Sequence, residues 1–496
     1  MQDPQTMKLR LQDLGAHIAV TIALLLPLGG WSNLQAYAQS MGYPDAASAG
    51  QQSGSPPTLS ISQQSPFSGS VPEGKVTPTV LPLSFKDALD RALRNNLGVL
   101  LSNDNTLSAR GQRWHELSDL LPHVSAGVSE TAAQASLAQF GFKLPGLPTI
   151  IGPYAFFDVR GYVSEELSYS SYLRTKGARK NEEAAQHSYK DARDLVALAT
   201  GNAYLQVLAG AARVDTALAQ VQTAQALYTK AADQQKAGVT PAIDTLRAQV
   251  EHQSRQQQLI VVRNNYAKEK LALARIIGLP PGQEFTLTDI APFEQLTTLG
   301  IEESVSRAYA TRSDYQAAIQ RVRAAERFRN AATAEHYPSF SFSANYGDLG
   351  VTPGHSNGTF EVVGTLNIPI FKGGEIHANV LQTEADLRGM QQQLDNLRGQ
   401  IDYEVRTALL DLAAAAEQVS VAQSSVDLAD QTLTQARDRF AAGVTDNLEV
   451  VQAQESVASA NENYISSLYA HNLAKVQLAR AMGYAEEGVK QYWKSK

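Results

Sequence analysis

"KAGVTPAIDTLRAQV" (residues 236–250) and "AAGVTDNLEVVQAQE" (441–455) each carry a glycine break followed by the start of an amphipathic stretch. Thr240 and Thr445 differ by 445 − 240 = 205. At that offset, without a gap, "KLALARIIG" (270–278) falls on "KVQLARAMG" (475–483). Upstream, Val207, Val214, Val221 and Tyr228 fall on Leu412, Val419, Val426 and Leu433, both series spaced by seven. Tyr204, Ala211, Leu218 and Ala232 fill the 3-4 spacing of the first series, and Leu409 and Ala416 begin it in the second. Seven-residue apolar repeats mean helices packed along a coiled-coil seam. A common amphipathic rhythm would not align AGVT and LAR together without a gap, so the pattern reads as an internal duplication.

The earlier parts repeat at another offset. "FKDALDRALRNN" (85–96) resembles "IEESVSRAYATR" (301–312), and Pro122 before "HVSAGVS" matches Pro338 before "SFSFSANY", 338 − 122 = 216. The longer offset implies extra residues in the first half, placed within 131–153. No proline occurs between Pro153 and Pro241 or after Pro369. Proline breaks helix interiors, so those intervals can hold very long helices. A helix from Thr175 to Lys236 spans on the order of 90 Å, about three times a bilayer core.

"SFSFSANY" (339–346) alternates Phe340, Phe342, Ala344 and Tyr346 with Ser339, Ser341, Ser343 and Asn345, the period of a strand with one apolar face. Its partner "TFEVVGTLNIPI" (359–370) places Phe360, Val362, Gly364, Leu366, Ile368 and Ile370 on one face and Glu361, Thr365 and Asn367 on the other. In the first half, Phe157, Val159, Val163 and Leu167 alternate with Asp158, Arg160, Ser164 and Glu166. Such strands suit a transmembrane barrel with a wet lumen, and equally a half-buried soluble sheet. Four strands per chain cannot close a barrel, and an open edge is intolerable in lipid. A barrel therefore requires several chains.

The 496 residues allow roughly three domains of ordinary size. A formal charge of −7 argues against nucleic acid as partner. There is no cysteine, which excludes disulfides, thiolate metal sites, cysteine nucleophiles and an anchor on an N-terminal cysteine. Lys8 and Arg10, the apolar run "HIAVTIALLLPLGG" and "AYA" (36–38) have the layout of a secretory signal peptide over residues 1–38. "MQDPQT" before Met7 reads as an upstream start or an appended segment. Residues 39–82, rich in Ser, Pro and Gln, are expected to be disordered, with order beginning where Ser84 can cap a helix.

The two halves are then 83–300 and 301–484, followed by a tail over 485–496. Expected strands lie at about 123–132, 155–169, 338–347 and 359–370, and expected long helices at about 175–236, 241–278, 374–441 and 446–483. The fold class is mainly α with β.

The region from about 83 to 484 resembles the TolC family of outer-membrane efflux proteins. The two-fold repeat, "LNIPIFKGGEIHANV" (366–380) and the tips "AGVT" followed by "IDTLRAQ" and "LEVVQAQ" carry the resemblance. The counterpart of "IPIFKGG" in the first half, "SYSSYLRTKG", departs from the pattern. The resemblance implies a homotrimer: a twelve-stranded barrel in the outer membrane, continued by a helical α-barrel across the periplasm. It would act as a passive exit duct for efflux or secretion, docking a periplasmic adaptor and an inner-membrane pump, without a cofactor. A secreted coiled-coil scaffold or adaptor is the alternative, distinguished by whether the protein stays with detergent-extracted outer membrane.

No catalytic constellation is evident. "WHEL" (114–117) has Asp119 where a zinc-protease helix needs its second histidine. The resemblance places Asp244 and Glu449, equivalent at the offset of 205, at the constricted periplasmic entrance, where three chains would gather 3 × 2 = 6 carboxylates. Gln452 stands where relatives can carry a second acid, and Thr445 where a basic residue can latch the entrance. Helix-start carboxylates favoured by the macrodipole are the plain reading of the same two acids. The tips Gly238-Val239-Thr240 and Gly443-Val444-Thr445 need glycine to turn, and the resemblance adds adaptor docking there. Phe340, Phe342, Phe360, Val362, Leu366 and Ile368 are expected to face lipid, with Ser341 and Glu361 facing the lumen.

Overall fold

The computed structural model describes residues 66–136, 150–239, 241–290, 293–296, 300–442, 444–445, 447–489 and 494–495. The expected signal peptide, residues 39–65, Thr240 and Gly443 lie outside the described residues. In chain order the elements are β1 (Leu81–Leu83), α1 (Phe85–Asn95), α2 (Leu97–Ser118), β2 (His123–Ser136), β3 (Ile150–Leu167), α3 (Tyr169–Lys236), α4 (Ala242–Ile277), β4 (Phe285–Leu287) and β5 (Asp289–Ile290). They continue with α5 (Ile301–Thr311), α6 (Ser313–Ala334), β6 (Ser339–Gly350), β7 (Ser356–Asn367), α7 (Glu375–Ala441), α8 (Asn447–Ala481), α9 (Ala485–Gly488) and β8 (Lys494–Ser495).

The proline-free intervals hold α3 and α7, of 68 and 67 residues, each about 100 Å long at 1.5 Å per residue. α3 starts six residues before the expected Thr175. Ser168 alone separates it from β3, and its hydroxyl accepts the Ser171 N–H at 3.0 Å, an N-cap that lets strand pass directly into helix. In the second half, residues 368–374 intervene, so the departure of "SYSSYLRTKG" from "IPIFKGG" is a difference in how the long helix is entered.

Packing of the long helices follows seven-residue steps. On α7, Ile401, Val405, Ala408, Leu412, Ala415, Val419 and Ala422 are buried in alternating steps of four and three. On α3 the buried line is Gly210, Ala217, Ala224 and Ala231, with Val207 buried beside it, whereas Val214, Val221 and Tyr228 are half-buried. The centre of that seam is small because glycine and alanine let backbones approach closely, and the larger residues flank it. Val419 is therefore buried and Val214 only half so.

Midway along the helices sit two cores. One joins Phe85 and Leu89 of α1 to Tyr204 and Val207 of α3 and to Leu273 and Ile277 of α4. The buried Tyr204 hydroxyl donates to the Leu83 carbonyl (3.1 Å) and contacts Asp289 Oδ2 at 3.2 Å, while the Phe85 N–H donates to the same Asp289 oxygen at 2.6 Å. The other joins Val305, Tyr315, Ile401, Val405, Leu412, Leu478 and Met482.

Two expectations change here. The described part of the extension, residues 66–82, is stitched to the body, not disordered. Val71 N–H donates to Asn95 O (2.9 Å), Glu73 N–H to Gly278 O (3.1 Å), Leu97 N–H to Gly69 O (3.0 Å), and β1 pairs in parallel with β4. A composition argument counts side chains available for burial, and this strap is held largely by main-chain bonds, which composition does not report. Likewise the described residues 485–489 and 494–495 are more than a tail: Ala485 and Val489 are buried in the first core and β8 pairs with β5.

Candidate functional site

Four strands form one antiparallel sheet in the order β2-β3-β6-β7. Directly opposed residues share a face, so the register assigns every side chain. Phe340 faces Leu366, Phe342 faces Gly364, Ala344 faces Val362 and Tyr346 faces Phe360. The same face continues through Leu167, Val163 and Val159 on β3 and through Val124 and Val128 on β2. Phe360 and Leu366 are 77% and 62% exposed, and Val124, Val128, Phe340 and Val362 are also exposed. This is a broad apolar surface without cover among the described residues of the single chain. Glu130 and Glu165, opposite Phe157 and Phe342, interrupt it. Ile368 is exposed but lies beyond the end of β7 at Asn367, so its face is not set by the ladder.

The opposite face is polar. Ser341 lies between Glu166 and Thr365, and Ser125, Tyr162, Asn345 and Glu361 form one row across all four strands. Arg160 Nε donates to Asp158 Oδ1 at 2.7 Å, its Nη2 pairs with the other carboxylate oxygen, and its Nη1 donates to Asn345 Oδ1 at 3.5 Å. Asn345 Nδ2 donates to Glu361 Oε2 at 3.1 Å. Among the described residues, β2 and β7, the outer strands, each leave one edge unpaired.

At the far end of the long helices, α3 closes on Gly238, whose φ of 73° only glycine adopts without strain. Gly238 N–H donates to Gln235 O and Val239 N–H to Gln234 O, both at 3.0 Å, which is a Schellman ending. α7 ends with the matching bond, Val444 N–H to Arg439 O at 3.0 Å. Both turns hold an apolar residue at the apex: Val239 is 71% and Val444 69% exposed.

The acids beyond these turns are not bare. Asp244, in the first turn of α4, is only 7% exposed, and Arg247 lies 3.6 Å from its carboxylate at the i,i+3 spacing of helix neighbours. Glu449, in the first turn of α8, accepts from the Thr445 hydroxyl and lies 3.6 Å from Arg439 at the end of α7. Arg439 near a helix C-terminus and Glu449 near an N-terminus both suit the local dipoles. The cation that faces Glu449 thus comes from the end of the preceding helix. Gln452 is exposed. Sequence reading missed both arginines. Asp244 and Arg247 were legible as an i,i+3 pair, but Arg439 meets Glu449 only once the turn is closed.

A third charged region lies at the cores. Arg312, 2% exposed, bonds Asp314 at 2.6 Å and Glu404 at 2.5 Å. Arg480 pairs with Asp191 and Arg193 with Glu486, both at 2.6 Å. Burial raises the Asp191 and Asp194 carboxyls above their ordinary values. Burial works the same way on Asp314, yet the Arg312 guanidinium outweighs it and holds that carboxyl below its ordinary value.

Residues 304–484 match the family model described as outer membrane efflux protein. The chain is 23% identical over 417 residues to the probable efflux pump outer membrane protein TtgC of Pseudomonas putida, covering 81% of this chain and 83% of that one. It is 28% identical over 185 residues to the cation efflux system protein CusC of Escherichia coli, covering 36% of this chain and 40% of that one. Among solved structures, the Campylobacter jejuni CmeC outer membrane channel superposes with a TM-score of 0.71 at 18% identity, covering 86% and 94% of the two chains. Vibrio cholerae VceC does so with a TM-score of 0.71 at 18% identity, covering 80% and 96%. Over residues 304–484 the chain thus matches the outer membrane efflux protein family, and its fold is that of solved outer-membrane channels.

Proposed function

We propose that the chain is one third of a trimeric, passive exit duct, seated in the outer membrane by a shared β-barrel and reaching the periplasm through its long helices. The observation that carries this is the sheet: one exposed apolar face, one polar face and two unpaired edges. Pairing β7 of one chain with β2 of the next closes 3 × 4 = 12 strands and leaves no edge in lipid. A second support is the exposed stripe on α7 of Tyr403, Leu410, Val421 and Leu428, spaced by 7, 11 and 7, and that on α4 of Ile243, Leu246 and Val250. Both stripes lack a partner among the described residues and would be covered by neighbouring copies. We attribute the matching tips and helix order of the two halves to duplication.

The apical Val239 and Val444 would be the adaptor-docking knobs, and energy would come from an inner-membrane pump. Gly238 and Gly443 with Thr240 and Thr445 would shape those tips, and Asp244, Glu449 and Gln452 would lie near the entrance. The test is the mass of the detergent-extracted particle together with conductance in planar bilayers. A trimer that opens ion channels is expected. A monomeric particle without conductance overturns the proposal.

A further inference from the structure

The polar face of the sheet holds an assembly that nothing about a passive barrel requires. Arg160 lies in a row flanked on both neighbouring strands by glycine, Gly127 opposite on β2 and Gly347 opposite on β6. A side chain at Gly347 would meet Val159 O and Arg160 Cα, so this part of the wall admits only glycine beside the arginine. The guanidinium is bent along the wall onto Asp158, lies 5.7 Å from the centre of the Tyr162 ring, and donates to the Asn345 side-chain carbonyl. With its oxygen so engaged, the Asn345 amide nitrogen turns to Glu361 and donates to it at 3.1 Å.

A chain of orientation follows. Asp158 neutralises and fixes Arg160, Arg160 fixes the sense of Asn345, and Asn345 holds Glu361 in place. Asp158 and Arg160 are largely covered, with side chains 12% and 24% exposed. Glu361 makes no ion pair among the described residues. Opposing residues of these rows on β2, Ser125, Gly127 and Ser129, carry no charge. The sum over Asp158, Arg160 and Glu361 is −1 + 1 − 1 = −1 per chain.

We infer that the mid-strand row of Glu361, braced by the Arg160 clamp, is a charge-selective girdle of the barrel lumen that favours cationic over anionic cargo. The inference rests on the trimeric barrel proposed above, in which three copies bring 3 × −1 = −3 to one ring. Rings of fixed like charge in a pore favour the opposite sign. Glu361 is the residue that sets the preference. Asp158, Arg160 and Asn345 are positioning residues.

The experiment uses the full chain in planar bilayers, inserted barrel first from one chamber so that the two mouths are addressed separately. Hexaamminecobalt(III) is the probe. In the wild type it should block from the barrel side. Glu361→Gln should lose that block and shift the reversal potential toward zero, while block from the tip side stays. Glu361→Asp, which keeps the charge, should behave as the wild type, and Glu361→Lys should invert the reversal potential. Channels whose barrel-side block is the same in wild type and Glu361→Gln, or equal behaviour of Glu361→Gln and Glu361→Asp, overturn the girdle alone. Absence of channels from the wild type overturns the duct and the girdle together.

Discussion

At the cores halfway along the helices, Arg312 is shielded from water and held at 2.6 and 2.5 Å by two carboxylates from different elements. At the helix tips, Arg439 and Glu449 sit 3.6 Å apart with side chains 57% and 40% exposed. Both are arginine–carboxylate pairs, and they do different work. A buried charge cannot lose its partner without leaving an uncompensated ion in a low dielectric, so the pair holds its elements in one arrangement. An exposed pair exchanges partner for water at little cost. On this contrast the middle is expected to hold its arrangement, and the Arg439–Glu449 end to yield more readily.

The strongest challenge to that contrast is Arg312→Leu. It removes the closest cation from Asp314 and Glu404, leaving Asp314 with Arg480 at 3.8 Å and Glu404 with Gln400, and the backbone at 312 packs directly against Gly483. The loss should be about 3–5 kcal/mol, read from denaturant unfolding of the detergent-solubilised protein. A loss under about 1 kcal/mol would mean that the region tolerates a stranded charge and is not rigid.

A smaller effect concerns pH in the same region. His471 is 0% exposed, its ring nitrogens have no hydrogen-bond partner among the described residues, and the Phe293 ring lies 4.8 Å away. Burial, with Lys475 adding repulsion, pushes the imidazole down to about 4. Between that value and the ordinary 6.5, the unfolded chain binds a proton that the folded chain does not, so stability falls as pH falls through this window. Asp191 and Asp194, raised by burial, act in the opposite sense as their carboxyls take up protons more readily when folded. The difference between wild type and His471→Leu isolates the histidine. From pH 7 down to about pH 4.5 the wild-type melting temperature should fall relative to that of the variant, which is the more acid-resistant. Parallel curves across that range would show that the ring finds a partner when charged.

How far these regions could be read from residues alone differs for physical reasons. Proline spacing marks the intervals that hold α3 and α7, because one proline would cost a long helix its continuity. Alternation marks the two faces of β6 and β7, but not Glu165, which sits in the apolar row opposite Phe342. The alanine seam of α3 escapes a hydrophobicity reading, since Ala217, Ala224 and Ala231 carry little apolar signal and act by being small. The Arg312 network joins residues 191, 312, 404 and 480, and no local spacing reports such a meeting. The turn chemistry of Gly238 was visible because a left-handed residue has few alternatives, while the pairing of Arg439 with Glu449 depends on a turn already made.

The mildest test falls on the tips. Glu449→Gln keeps the shape of the side chain and a group that can still receive the Thr445 hydroxyl, and removes only the charge facing Arg439. An exposed pair of this kind contributes about 0–1 kcal/mol, and its share is screened further as salt rises toward 1 M. The variant should therefore unfold within about 1 kcal/mol of the wild type at low salt, with the gap closing at high salt. Asp244→Asn, at the equivalent but buried position, should cost more than Glu449→Gln and respond less to salt, because water and ions reach its carboxylate poorly. If Glu449→Gln destabilises as much as Arg312→Leu, the tip is locked as firmly as the core. Opening there would then require breaking a strong ion pair in each chain, and the division into a fixed middle and a yielding end would fail.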